Sequence, residues 1–205
     1  VIFNSPSSAS FGVDNANYTD IEFSEGYTNG NLVGQNGWSA FNSNATSPVS
    51  LTNGGAKLLA GTGYQTAYKT ISPYQFGSSS SVHLRIDVNV QTAMTNTNGA
   101  DFFYATRELN RTNNQPDGKS YFRLYVRASG SGFQLGWNPH AETANVPAFG
   151  TNVFNFGTDY KIVIRCDSSP SLANDDTFLF VDPTHSEALP ILSRSSFSGN
   201  RSAEF

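Results

Sequence analysis

The chain has 205 residues, of which 14% are charged and 13% aromatic, with a formal net charge of −4. Four lysines and eight arginines, dispersed and without a cluster, cannot neutralise a run of phosphates, which argues against nucleic acid as a partner. No apolar stretch approaches the roughly eighteen residues of a membrane span, so no insertion into a bilayer is expected.

Taken in order, the chain opens at Val1 without the charged and apolar regions of a signal peptide, as expected if any leader has been removed. The segment 9–17, ASFGVDNAN, precedes the first expected strand, DIEF at 20–23. Next comes GYTNGNLVGQNGW (26–38), dense in glycine and asparagine, which reads as a turn carrying the chain across a sheet edge. Trp38 would anchor it in the core. AKLLA (56–60), VHLRIDVNV (82–90), ADFFYAT (100–106), YFRLYVR (121–127), FQLGW (133–137), YKIVIRC (160–166) and TFLFVD (177–182) follow as strands, most of them alternating apolar and polar. Val82, Leu84, Ile86 and Val88, then Phe122, Leu124 and Val126, then Ile162 and Ile164 are the expected inner faces. Cys166 lies in phase with Ile162 and Ile164 and is expected to be a buried core thiol.

Turn sequences punctuate these runs: NGG (53–55), NTNG (96–99), QPDG (115–118) and SGSG (129–132). THSEAL (184–189) offers at most one helical turn. Many short strands with such turns predict an all-β fold, an antiparallel two-sheet sandwich or jelly roll, within a single domain. The abundance of short hydrogen-bonding side chains, with few lysines, suits a secreted protein.

FSEGYTNGNLVGQNGW (23–38), YFRLYVRASGSGFQLGW (121–137), FNFGTDYKIVIRCD (154–167) and DDTFLFVDP (175–183) together resemble a known group. They are similar to the concanavalin A-like (lectin/glucanase, laminin-G-like) β-sandwich domains of large secreted bacterial surface proteins. The resemblance covers residues 20–205, with 1–19 as an additional N-terminal segment. It implies a jelly-roll sandwich, an extracellular or cell-surface location, and a structural or adhesive role without catalysis. Domains of that group finish on a strand reading roughly Phe-x-Phe-Asp-Asn-Ile. This chain reaches NRSAEF (200–205) where that strand should start, while Phe11, Val13, Asp14 and Asn15 look like the missing element. The chain could be one slice of a tandem array. Residues 9–17 could instead complete their own sheet, as in a circular permutation. A third arrangement has them complete the sheet of the next subunit, giving a head-to-tail polymer by strand addition. The partners expected on this reading are further copies or neighbouring domains of the same type, together with surface polysaccharide.

For binding, Tyr121, Arg123, Tyr125 and Arg127 share one face of a strand and form an aromatic–cation ladder suited to sugars; Trp137 and Phe149 add rings. A plain outward-facing sheet covered by Tyr–Arg stacking accounts for the same pattern. For catalysis, Asp20, Glu22 and Glu25 imitate the alternating carboxylates of glucanases of this superfamily, but with exchanged side-chain lengths and Ser24 in place of an apolar residue. A solvated edge strand explains them more simply, and no catalytic residue is assigned. His83, His140 and His185 are far apart in sequence and show no metal-ligand spacing. No cofactor is expected. Asn96, Asn98 and Asp101, or Asn174, Asp175 and Asp176, could hold structural calcium, although Asx turns account for both groups. Glycosylation sequons stand at Asn17, Asn44, Asn110 and Asn200, about as many as this composition produces by chance.

Overall fold

Period-two alternation turns into sheet across the described residues. The computed structural model describes residues 2–3, 26–40, 49–52, 55–58, 67–70, 81–93, 102–110, 115–139, 147–167, 176–183 and 189–194. These residues hold strands and no helix, and every strand pair is antiparallel. The protein is all-β. In chain order the strands are β1 (Ile2–Phe3), β2 (Gly30–Asn31), β3 (Ser50–Thr52), β4 (Gly55–Lys57), β5 (Ser81–Asn89), β6 (Phe102–Asn110) and β7 (Gln115–Ser129). They continue as β8 (Gly132–Pro139), β9 (Ala148–Phe149), β10 (Phe154–Asn155), β11 (Asp159–Asp167), β12 (Asp176–Val181) and β13 (Leu192–Arg194).

Two sheets result. The first has eight strands in the order β13-β12-β11-β5-β1-β4-β3-β2. The second has five: β10-β8-β7-β6 in sequence, with β9 also paired to β8. One buried apolar cluster draws from both, joining Ile86 and Val88 of β5, Ile162, Ile164 and Cys166 of β11 and Leu179 of β12 to Leu124 of β7 and Phe133, Leu135 and Trp137 of β8. Leu84 and Val126 pack against it. The inner faces expected at these residues are therefore the ones that bury apolar surface, and Cys166 is a buried free thiol.

The first sheet is continuous through only two residues. Ile2 pairs with Lys57 on β4 and Asn89 on β5, and Phe3 pairs with Ala56 and Val88. β4 and β5 meet each other only through this short strand. The inserted residues lie ahead of the 9–17 segment, which is outside the described residues.

A smaller cluster gathers Tyr27, Leu32, Val49, Leu51 and Ala56, with Trp38 partly buried against it. Trp38 thus anchors its turn in this satellite cluster and not in the main core. Two other expectations are corrected. QPDG is not a turn but the first part of β7, which pairs Gln115 with Asn110 and Pro116 with Leu109. The ladder there carries register shifts, one of them between Arg107 and Leu109, and such irregularities are where a strand tolerates proline. In AKLLA the described strand covers Ala56 and Lys57 and stops before Leu58, while residues 59–60 lie outside the described residues. SGSG does make its hairpin: Ser129 pairs with Gly132 across a two-residue loop, where Gly130 adopts φ 59°.

Candidate functional site

The outer face of β7 and β8 carries the residues singled out for binding. Leu124 and Val126 point into the core, so Arg123, Tyr125 and Arg127 project from the opposite side. On β8 the register places Asn138 opposite Arg123, Gly136 opposite Tyr125 and Gln134 opposite Arg127. β9 extends the middle row, since Phe149 pairs with Gly136.

Gly136 is what lets this row close. A Cβ there would come within 2.6 Å of the Phe149 ring, so the ring lies in the space that any other residue would fill. The Arg127 guanidinium stacks on that ring, 4.0 Å from its centroid, while its Nε donates to Gln134 Oε1 at 2.9 Å. The arginine is therefore held in one orientation by two partners. Tyr125 is 1% exposed, and burial pushes its phenol above the ordinary range, opposed by a hydrogen bond and the charge of Arg123. Asn138 is 7% exposed, a buried polar group at the end of the row. The result is a face with a sunken polar floor (Tyr125, Asn138) and a partly exposed rim (Arg123, Arg127, Gln134, Phe149).

Two of the expected sugar-stacking rings therefore lie inside. Trp137 is 2% exposed in the main core, opposite Leu124, and Tyr125 is covered on the other side of the sheet. Neither presents a ring face to solvent. Tyr121 belongs to β7, but its side chain lies outside the described residues. Gln134 and Asn138 were not foreseen. Their signal was available, because in FQLGWNP they occupy the positions alternating with Phe133, Leu135 and Trp137.

The outer face of the first sheet is also chemically dense, and the sequence reading did not single it out. Arg85 makes a two-point contact with Asp87, Nε to Oδ1 at 3.1 Å and Nη2 to Oδ2 at 3.0 Å. On the next strand Arg165 Nε lies 3.1 Å from Asp167 Oδ2, out of line for a hydrogen bond. Its guanidinium packs over Phe178 at 4.4 Å and Phe180 at 5.7 Å. Ser81 Oγ donates to Asp167 Oδ1 at 2.7 Å. His83 pairs with Arg165 across the strands, and partial burial, then that arginine, hold its imidazole below the usual range, with Asp167 opposing. These charges satisfy one another in pairs. That pattern is a self-neutralised surface.

Asp20, Glu22 and Glu25 lie outside the described residues, as do Phe11, Val13, Asp14 and Asn15 and the sequon residues Asn17, Asn44 and Asn200. Asn110 ends β6, with its side chain undescribed. Of the calcium candidates only Asp176 is described, at the start of β12. Among the described residues no three His, Cys, Asp or Glu side chains converge as metal ligands. No family model, curated protein or solved structure matches the chain.

Proposed function

We propose that the chain is a non-enzymatic structural and adhesive module of an extracellular or cell-surface assembly. In this reading it is a concanavalin A-like jelly-roll sandwich, and it joins neighbouring copies by strand addition. Support for the sandwich comes from the cluster that takes side chains from both sheets. The assembly reading rests on one observation: a two-residue strand, Ile2–Phe3, fills a strand-wide slot between β4 and β5.

Such a slot has unusual properties. Without its occupant, the backbone groups of Lys57, Ala56, Val88 and Asn89 lose their ladder partners, and open sheet edges recruit other strands. Four residue pairs, two on each side, hold the occupant, so exchanging it for an identical strand costs little. Residues 4–29 separate β1 from β2, a stretch that can reach roughly 90 Å when extended. A domain of this length is about 40 Å across, so the same strand can serve its own sheet or that of another copy. Exchange between copies is heterologous and extends head to tail unless a ring closes.

Light scattering and negative-stain microscopy of the chain, with and without residues 1–17, test this reading. Long particles from the intact chain and isolated ones from the shortened chain are the expected result. If both remain isolated while the shortened chain merely melts earlier, the strand serves only its own domain and the assembly reading fails.

A further inference from the structure

From the walls of the β4–β5 slot we infer a peptide-binding site that reads a single side chain. It takes an extended segment whose inner residue is large and apolar, as in Ile2–Phe3 of a second copy, and is indifferent to the outer residue. The inference rests on the strand-exchange reading only in requiring that the slot can open; it adds which strands the slot accepts. Register partners across an antiparallel sheet project to the same side. The position held by Phe3 therefore shares a side with Ala56 on β4 and Val88 on β5, which are 4% and 1% exposed. The position held by Ile2 shares the other side with Lys57 and Asn89, both partly exposed.

The inner position is the demanding one. Its row across the sheet runs Leu51, Ala56, the slot, Val88 and Tyr160. Ala56 belongs to the satellite cluster and Val88 to the main core, so the slot's inner residue stands where the two apolar clusters border each other. Ala56 brings only a methyl group to that border, so apolar volume in this row falls to the inserted residue. A carboxylate placed there would be desolvated between two buried apolar neighbours. The outer position makes no such demand. Asn89 is engaged at both ends of its amide, donating through Nδ2 to Asp159 Oδ1 at 2.7 Å and accepting at Oδ1 from Gln91 Nε2. An inserted strand that pairs through two residues gains little specificity from its main chain, and selection passes to the inner side chain.

Fluorescence anisotropy of a labelled peptide of residues 1–8, VIFNSPSS, with the full chain carrying Phe3→Asp tests the inference. The substitution disfavours the chain's own strand and leaves the slot walls unchanged. Saturable binding is expected, kept within about threefold in an Ile2→Thr peptide and weakened at least about tenfold in a Phe3→Asp peptide. The wild-type full chain, whose own strand competes, should rank the peptides in the same order at lower apparent affinity, so the comparison stands whether or not the Phe3→Asp chain folds. Equal binding of the Phe3→Asp peptide, a loss with Ile2→Thr as large as with Phe3→Asp, or no binding to either chain overturns the site. Light scattering of the wild-type and Phe3→Asp full chains separates this inference from the assembly reading. Isolated wild-type particles that bind the peptides in the expected order refute polymerisation and keep the site. Long particles from both chains refute the site and keep polymerisation.

Discussion

Trp38 donates its indole N–H to the Tyr27 hydroxyl at 3.0 Å, closing the turn between them. Inside that turn Gln35 ties the backbone together: its Oε1 accepts from Thr28 N at 2.9 Å, and its Nε2 donates to the carbonyls of Thr28 and Asn31. Tyr27, Leu32 and Trp38 then pack with β3 and β4. The turn is thus a built element at the β2–β4 end of the eight-stranded sheet. Tyr27→Phe removes the acceptor and is expected to destabilise the fold by about 1 kcal/mol. Gln35→Ala should expose residues 28–35 to proteolysis. Thermal melts and limited digestion, read side by side, check the two effects.

The core and the surface should respond very differently to truncation. Ile164 is fully buried between the sheets, and Ile164→Ala is expected to cost about 2–5 kcal/mol. Leu189 is 89% exposed, and Leu189→Ser should change stability by no more than about half a kcal/mol. Denaturant midpoints for both variants provide the comparison.

Gly136→Ala places a methyl group against the Phe149 ring, at the 2.6 Å approach noted above. The ring must move, and the Arg127 stack moves with it. A loss of about 1–3 kcal/mol is expected, with a melting temperature lowered by a few degrees.

How much of this was legible beforehand depended on what kind of information each feature required. Alternation in VHLRIDVNV and YKIVIRC assigns a side to each residue, and Ile86, Val88, Ile162, Ile164 and Cys166 are indeed buried together. The SGSG hairpin was readable because its turn chemistry is local. Periodicity does not say what covers a face. Tyr125 alternates with Leu124 and Val126, and so reads as outward. Its burial belongs to a face whose middle row is completed by Phe149 from a separate segment, possible only because Gly136 has no side chain. QPDG misled for a related reason. Turn-forming residues define a turn only when the strands beside them stop, and the β6–β7 ladder continues through its register shifts to Gln115. The Ile2–Phe3 insertion could not be read at all, because two residues carry no period.

Stability should also fall in alkali. With its pKa raised by burial, Tyr125 holds its proton in the folded protein at a pH where the unfolded chain, titrating near 10, has begun to lose it. The stabilisation is complete below pH 10 and disappears as pH rises through the higher folded value. Tyr125→Phe cannot ionise and should show a shallower loss over that range. Unfolding free energies of both proteins, measured from neutral pH into alkali, check the difference in slope.

The central claim is that the strand in the β4–β5 slot can come from another copy. Ile2 and Asn89 are register partners, close enough across an antiparallel pair for a disulfide, and the single native thiol, Cys166, is buried. Mild oxidation of a mixture of Ile2→Cys chains and Asn89→Cys chains, followed by a non-reducing gel, tests the claim most directly. The account predicts a covalent dimer containing one chain of each kind, formed only in the mixture. An Ile2→Cys/Asn89→Cys double variant that oxidises to a closed monomer, with no dimer from the mixture, contradicts it.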